Sequence, residues 1–216
     1  MVLVDRDYNI MREIERWRFC LGRHIKFLAG FDGQRACDRR LQMLIVAGYI
    51  NKKKVLYGVP SLYFLTHKGK MLIGANKRQD KIRIEKIPHD IAVADTAIYF
   101  ILKFKISLDE ITTEKQINSV SGFGERKHSP DFLITRNDKK YCIEVELSQK
   151  SKERFEKIVG DNYLEYEWQF WVVSKTGVKI KRRLEDLLGK YQNIKIINLE
   201  EVQNFVRHGN KNNQPE

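Results

Sequence analysis

The stretch that decides the fold reads Ser129-Pro-Asp-Phe-Leu-Ile-Thr-Arg-Asn-Asp-Lys-Lys-Tyr-Cys-Ile-Glu-Val-Glu-Leu-Ser-Gln-Lys150. Two short runs of apolar and β-branched residues flank a polar tip, and this pattern predicts a β-hairpin. If Arg136 pairs with Lys139 across a two-residue turn, the ladder brings Asp131 opposite Glu144. Two acidic side chains are therefore expected side by side on one face of a sheet.

Directly opposed residues of a hairpin have Cβ atoms about 5 Å apart, and alternation puts Glu146 on the same face as Glu144. Like charges so close are destabilising unless something positive lies between them. Mg²⁺ or Mn²⁺, which prefer carboxylate oxygens, are the expected cations. The alternative is an exposed hairpin whose acids face water, but Cys142, Ile143 and Val145 should draw the second strand inward.

Pro-Asp on one strand and Glu-x-(Glu/Lys) on the next resembles the PD-(D/E)XK nuclease superfamily. The matching residues are Pro130, Asp131, Glu144 and Glu146. The resemblance implies metal-binding and catalytic roles for the three acids. This chain departs from the pattern because Glu146 stands where the family usually has lysine. Lys150 is expected to return an ammonium group to the site from a shifted position.

The charge of the chain is concentrated in its first part. The 216 residues carry a net charge of +12. Residues 1–88 contain 19 Lys and Arg against 8 Asp and Glu, giving +11, and residues 89–216 contain 21 against 20, giving +1. This asymmetry is expected when one domain binds a polyanion, although a soluble basic face is the simpler alternative.

The apolar runs and the cysteine spacings of the sequence bear on the compartment in which the protein is expected. No apolar run approaches the roughly 20 residues that span a bilayer, and the first residues do not form a signal peptide. Cys20, Cys37 and Cys142 fit neither a zinc spacing nor a disulfide framework. We therefore expect a cytoplasmic protein with no membrane partner.

The first part of the chain is expected to be a winged helix-turn-helix domain over residues 1–76. Periodicity predicts helices at Asp5–Phe19, Ile25–Leu28 and Gln34–Ala47, followed by strands at Lys52–Tyr57 and Leu62–Thr66. Three helices and a basic hairpin resemble winged domains, whose third helix enters the major groove of double-stranded DNA. Such domains also dock proteins. The residues expected to bind DNA are Arg35, Arg39 and Gln42 for base edges, and Lys52, Lys53 and Lys54 for phosphates.

The second part is expected to be a nuclease-like domain over residues 89–208, after a linker at 77–88 and before a disordered tail at 209–216. The predicted elements are a helix from His89, a strand at Glu110–Ile117, a glycine-rich basic loop at Ser121–His128, the hairpin, a helix at Ser151–Tyr163, a strand at Gln169–Ser174, a helix at Lys179–Leu188, a strand at Ile194–Leu199 and a helical segment at Glu200–Val206. This mixed α/β order resembles the α-β-β-β-α-β core of restriction endonucleases with a common extension.

Three further polar residues are candidates for the site. Glu114 lies where the superfamily often has another metal-binding acid, though an exposed strand glutamate is an equal alternative. His89 and Asp95 lie nearly two helical turns apart. Their expected role is to support the site or to cap the helix.

A closer resemblance rests on the run Cys142-Ile-Glu-Val-Glu-Leu-Ser-Gln-Lys-Ser-Lys-Glu-Arg-Phe155, with His89 and Asp95 upstream. It is similar to the replication-relaxation group of plasmid proteins and to the mobilisation-protein C class of conjugative relaxases. The resemblance implies metal-dependent nicking of one DNA strand at a transfer or replication origin. It also leaves a homodimer, or other mobilisation and replication proteins, as possible partners. The five histidines form no His-x-His pair, which disfavours the tyrosine-nucleophile relaxases.

The rival hypothesis is a DNA-binding regulator without catalytic activity, in which a decayed nuclease-like domain serves for docking or dimerisation. Its main support is the glutamate at position 146 in place of the expected lysine.

Overall fold

The computed structural model describes residues 1–76, 80, 82–120 and 128–208. The chain is a mixed α/β protein that divides into two compact units, Met1–Ala94 and Asp95–Glu216. Among the described residues, no helix combines the length and the apolar character needed to cross a membrane.

The first unit is a small helical domain with a three-stranded sheet. Its elements are α1 (Asp5–Arg16), β1 (Cys20–Leu21), α2 (Gly22–Leu28), α3 (Gln34–Val46), β2 (Ile50–Lys53), β3 (Leu62–Leu65) and α4 (His67–Leu72), followed by a 3-10 turn (Ile84–Lys86) and the start of α5 (Ile87–Phe104). The strands are antiparallel in the order β1-β3-β2. The predicted helices and both predicted strands are present, with shifted ends, whereas β1 and α4 were not anticipated.

The apolar stripes of α1 and α3 form the core of this unit, as their periodicity predicts. Ile10 and Ile14 on α1 and Leu41 and Leu44 on α3 are fully buried. The second strand begins at Ile50 rather than at the predicted residue 52 because Ile50 is buried and pairs with Leu65.

A buried ion pair links α1 to α3 in this unit. Asp7 on α1 is inaccessible to solvent, and Arg40 on α3 donates to its Oδ1 from Nε at 2.6 Å and to its Oδ2 from Nη2. The backbone amide of Val4 also donates to Asp7 Oδ2 at 2.8 Å. Burial raises the pKa of Asp7, but the bonds from Arg40 and Val4 more than offset this effect, so the pKa lies below its usual value. Arg40 is therefore a structural arginine, unlike its neighbour Arg39, which is exposed.

The second unit is a five-stranded mixed sheet covered by helices. Its elements are the remainder of α5, a 3-10 turn (Leu108–Glu110), β4 (Ile111–Thr113), α6 (Glu114–Val120), β5 (Phe132–Arg136), β6 (Lys139–Glu146), α7 (Lys152–Glu165), β7 (Trp168–Val173), α8 (Val178–Leu187), β8 (Ile194–Asn198) and α9 (Leu199–His208). The strand order is β4-β5-β6-β7-β8, antiparallel up to β6 and parallel from β6 to β8.

Alternating side chains divide the sheet between two apolar layers. On one face, Trp171 packs against Phe155 of α7 with ring centroids 5.0 Å apart, and residues of α8 join the same cluster. On the other face, Phe100 of α5 contacts Phe132 and Phe170 edge to face. Because Glu144 pairs with Trp171 across the parallel ladder, its side chain lies on the α7 face.

The predicted strand at residues 110–117 is wrong beyond Thr113. Glu114 begins helix α6 instead of continuing the strand. Thr113 N donates to Gln116 Oε1 at 3.0 Å, and Gln116 N donates to Thr113 Oγ1 at 3.4 Å. This reciprocal pair is a capping box, whose Thr-x-x-Gln signature starts a helix.

The predicted linker and tail fall partly outside the described residues. Residues 77–79, 81 and 209–216 are not described, so the expected disorder of 209–216 stays a prediction. The rest of the linker is ordered, because residues 84–86 form a 3-10 turn and α5 begins at Ile87 rather than at His89. Pro88 fits within the first turn of a helix, where its missing N–H is not needed. The two compact units divide inside α5, between Ala94 and Asp95.

We expect Arg40→Ala to lower the free energy of unfolding by about 3 kcal/mol, because it leaves the Asp7 carboxylate buried without its partner. Urea denaturation of the full chain measures the effect. Arg39→Ala is the matched control, since it removes an exposed arginine one position away and should change stability by less than about 0.5 kcal/mol. Equal losses in both variants would show that the pair does not stabilise the unit.

The same pair predicts a pH dependence. Because the folded-state pKa of Asp7 is lowered, its contribution is fully present above the unfolded value of about 3.8 and is lost as the pH falls through the folded value. The stability difference between wild type and Arg40→Ala should therefore shrink in that acidic range. A difference that stays constant down to the folded-state value would contradict this account.

Candidate functional site

The hairpin has the predicted register. Arg136 pairs with Lys139, and the ladder continues to Phe132 opposite Ile143, so the next step brings Asp131 opposite Glu144. The turn residues Asn137 and Asp138 have φ of +52° and +60°. Two consecutive positive φ angles are typical of a type I′ turn, whose twist matches that of the strands it joins.

The acids lie at the edge of the sheet where ligands are usually bound. The parallel strands β6 and β7 both end at this edge, at Glu146 and Val173, and the antiparallel β5 begins there after Asp131. In open α/β sheets, ligands bind beyond the carboxyl ends of the parallel strands. Helix α7 starts at the same edge, where Ser151 Oγ accepts a hydrogen bond from Arg154 N at 3.4 Å.

Glu144 is the centre of a buried polar cluster. The residue is only 4% exposed, and its Oε1 accepts a hydrogen bond from Asn162 Nδ2 of α7 at 3.1 Å. His128 Nε2 lies 2.6 Å from the same oxygen. Asp131 Oδ2 accepts from the backbone N–H of Val145 at 2.7 Å. The carboxylate opposite Asp131 is thus held by two side chains from outside the hairpin.

The electrostatics of this pair follow from its burial. Burial raises the pKa of Glu144, the hydrogen bond from His128 lowers it, and the Asp131 carboxylate raises it, with a net upward shift. Burial lowers the pKa of His128, but its bond to Glu144 outweighs this and the net shift is upward. The upward shift of the His128 pKa favours its imidazolium form, whereas burial next to Asp131 favours the protonated form of Glu144.

Glu146 is bonded to the lysine that was expected to replace the missing family lysine. Glu146 is 3% exposed, and the Lys150 ammonium forms an ion pair with its Oε2. Ser148 N donates to the other oxygen at 3.2 Å. Arg183 Nη1 of α8 donates to the Lys150 carbonyl at 2.9 Å and fixes the backbone of this segment. The Lys150 ammonium thus lies against Glu146 at this edge, and its catalytic role stays a prediction.

These contacts change the expected energetics of the acids. From the sequence alone, a cation is expected to relieve the repulsion between Asp131 and Glu144, but His128 and the Val145 amide offset part of it. In the described part of the chain, no group of three or more His, Cys, Asp or Glu side chains is arranged to hold a metal ion. Asp131 and Glu144 are chemically suitable for Mg²⁺ or Mn²⁺, while Glu146 is engaged by Lys150.

The remaining predicted site residues lie on two helices, with Glu114 on α6 and His89 and Asp95 on α5. Glu114 is in the first turn of α6, and its backbone N–H donates to the Asp131 carbonyl at 2.9 Å. His89 Nδ1 lies 3.4 Å from Asp90 Oδ1 on the same helix, and Asp95 is 1% exposed. The metal-binding role of Glu114 and the supporting roles of His89 and Asp95 stay predictions. Of the predicted loop 121–128, only His128 is described.

His128 is the site residue that sequence reasoning did not assign to the acid cluster. It was assigned only to a basic, glycine-rich loop. The one available signal was its position three residues before Asp131, whose hairpin partner is Glu144. Asn162 gave no such signal, because its helix is docked against β6 only in the folded structure.

The first unit presents its predicted basic residues to solvent. Arg35, Arg39 and Gln42 are exposed on the outer face of α3, opposite Cys37, Leu41 and Leu44. The three lysines Lys52, Lys53 and Lys54 are also exposed. Lys54 Nζ donates to the Val59 carbonyl within the β2–β3 connection, so part of its hydrogen-bonding capacity is used in shaping that loop.

No protein-family model, curated protein or solved structure matches this chain. Its function is therefore argued from the geometry of these residues.

We expect Lys150→Ala to lower the free energy of unfolding by about 3 kcal/mol, because it leaves the buried Glu146 carboxylate without its cation. Lys152→Ala is the matched control, since that side chain is 70% exposed. Adding Glu146→Gln to Lys150→Ala should recover much of the loss, and a double-mutant cycle measures the coupling. Additive effects of the two substitutions would contradict the pairing.

Proposed function

We propose that the chain is a DNA-binding, metal-dependent endonuclease that nicks DNA at a transfer or replication origin of a plasmid or mobile element. The observation that carries the proposal is the hairpin register, which brings Asp131 opposite Glu144 at the carboxyl edge of the sheet, with Lys150 paired to the neighbouring Glu146. The origin and the single-strand outcome come from the resemblance to replication-relaxation and mobilisation proteins.

The first unit supports the DNA-binding part of the proposal. Its order α1-β1-α2-α3-β2-β3 and its three-stranded antiparallel sheet support the proposal of a winged helix-turn-helix domain. The helix that would enter the major groove is α3, whose exposed row contains Arg35, Arg39 and Gln42. Arginine and glutamine are suited to paired contacts with guanine and adenine edges.

The second unit supports the cleavage part. Asp131 and Glu144 would hold Mg²⁺ or Mn²⁺, with Glu146 or Glu114 as a further ligand. A bound cation activates water and offsets the charge that develops on the scissile phosphate. Asn162 and His128 orient the Glu144 carboxylate. Lys150 supplies a positive group beside the reacting phosphate. Its ion pair with Glu146 keeps it at the edge of the sheet.

A second candidate function is a DNA-binding regulator whose nuclease-like unit is inactive. The observation that favours it is that the acids already have partners: Glu144 has His128 and Asn162, and Glu146 has Lys150. A cluster satisfied in this way is stable without a cation. On this hypothesis, the second unit serves for docking or dimerisation.

We expect Arg39→Ala in the full chain to change the DNA sequence that is preferred, because one base contact accounts for about 1–3 kcal/mol of discrimination. Lys53→Ala should instead weaken binding to all sequences alike, by removing a phosphate contact. Selection from a random duplex pool followed by titration measures both effects. Gln203→Ala on α9 is a control substitution in the other unit. If Arg39→Ala selects the wild-type site with unchanged ranking, α3 is not the reading helix.

We expect the wild-type chain to nick supercoiled DNA that carries the origin of its own genetic element in the presence of Mg²⁺ or Mn²⁺. Asp131→Asn and Glu144→Gln should abolish nicking while leaving duplex binding within about twofold, because neither acid is assigned a contact with the duplex. Asp138→Asn is the control, since it removes a carboxylate from the exposed turn of the same hairpin.

A second readout is independent of cleavage. Cation binding to the folded state should raise the Tm of the wild type, by an amount equivalent to about 2.7 kcal/mol at one hundred times Kd. Asp131→Asn should lose this shift. A wild type with neither nicking nor a cation-dependent Tm would favour the regulator over the nuclease.

A further inference from the structure

The second unit has a strongly basic segment that its net charge conceals. Between Lys175 and Arg183, five of nine residues are Lys or Arg and none is Asp or Glu. Most of them lie on α8, where Ile180 and Leu184 face the core. Lys179, Arg182 and Arg183 follow the spacing i, i+3, i+4 and therefore share one side of the helix. These three residues are called the α8 basic face below.

Apart from the exposed pair of Lys181 Nζ with Glu185 Oε1 at 3.8 Å, the charges of α8 oppose its helix dipole. Cations occupy its first turns, whereas Glu185 and Asp186 lie near its end. The helix dipole favours the opposite arrangement, with an effect of about 0.3–1 kcal/mol for each charge. Lys179 and Arg182 are exposed, and Arg183 is half-buried. An accumulation of cations that opposes the stability of its own helix is expected where an anion is bound.

Arg183 connects this face to the carboxylate site. Its Nη1 donates to the Lys150 carbonyl at 2.9 Å, and the Lys150 ammonium pairs with Glu146. Helix α8 also starts at the sheet edge where β6 and β7 end, because it follows β7 after a short connection. The α8 basic face is therefore joined through Arg183 to the segment that carries Lys150.

We propose that the α8 basic face binds the phosphate backbone of the DNA strand that passes the carboxylate site. Guanidinium groups match phosphate oxygens through paired hydrogen bonds, and Lys179 adds a point charge one turn away. Three acids at the edge repel a phosphate, and cations beside them counteract that repulsion. The inference rests on the proposed function for the identity of the polymer as DNA, but not on cleavage.

The test compares two double variants of the full chain with equal loss of charge. Lys179→Ala/Arg182→Ala removes two residues of the α8 basic face and leaves Arg183 on Lys150. Lys157→Ala/Arg207→Ala removes two exposed cations from α7 and α9. Affinity for a 30-base-pair duplex is measured in EDTA between 50 and 200 mM salt, and thermal melting verifies that both variants fold.

Each lost phosphate contact lowers the slope of log affinity against log salt by about 0.9 for duplex DNA. The α8 variant should therefore have a slope lower by about 1.8, which corresponds to roughly tenfold less affinity lost across this salt range. The control should keep the wild-type slope. Should the α8 variant unfold, the single variants Lys179→Gln and Arg182→Gln should each lower the slope by about half as much.

Slopes that are the same in the α8 variant, the control and the wild type overturn the inference. An acidic peptide of equal charge that competes with the duplex on equal terms also overturns it, because the surface would then fit a protein. The outcome is separable from the proposed function. If the wild type does not nick DNA but the α8 variant shows the expected loss of slope, the nuclease proposal is wrong and the proposed DNA-binding surface on α8 stands.

Discussion

The second unit depends on the stabilisation of one buried carboxylate. Glu144 points into the layer between the sheet and α7, where an isolated ion costs several kcal/mol to bury. His128 and Asn162 reach it from two different segments, so the same oxygen joins the strand, the helix and the residues that precede β5. The pairing of charge and the packing of the apolar layer around Phe155 and Trp171 therefore stabilise the same arrangement. Removing His128 or Asn162 would leave the buried Glu144 side chain with one polar partner fewer.

The parts of the fold that were predictable are those governed by short-range patterns. The register of the hairpin follows from a two-residue turn and from alternation, and the stripe of α3 follows from a period of 3.6 residues. The errors have equally local causes. Strand β1 has only two residues, too few for any periodic signal. The β-branched residues Ile111, Thr112 and Thr113 favour a strand, but Thr113 and Gln116 form a capping box that ends the strand and starts α6.

The positions of the three acids were predictable from the sequence, whereas those of their hydrogen-bonding partners were not. Asp131, Glu144 and Glu146 were found because strand geometry relates them directly. His128 and Asn162 were not, because their distance from Glu144 is set by tertiary packing and no short sequence pattern encodes it. The expectation that a cation is needed was also derived without these two partners. Acids without a partner in the local sequence gain partners from the helices and loops that pack around them in the folded structure.

The pairing of Glu146 with Lys150 also limits how this segment can evolve. Changing Glu146 alone to lysine would set two ammonium groups together at a nearly solvent-free position, and changing Lys150 alone to glutamate would do the same with carboxylates. Either intermediate is disfavoured, whereas the simultaneous exchange keeps the charge balance. The cost of a substitution at either position therefore depends on the residue at the other. Only three loop residues separate the two side chains along the chain.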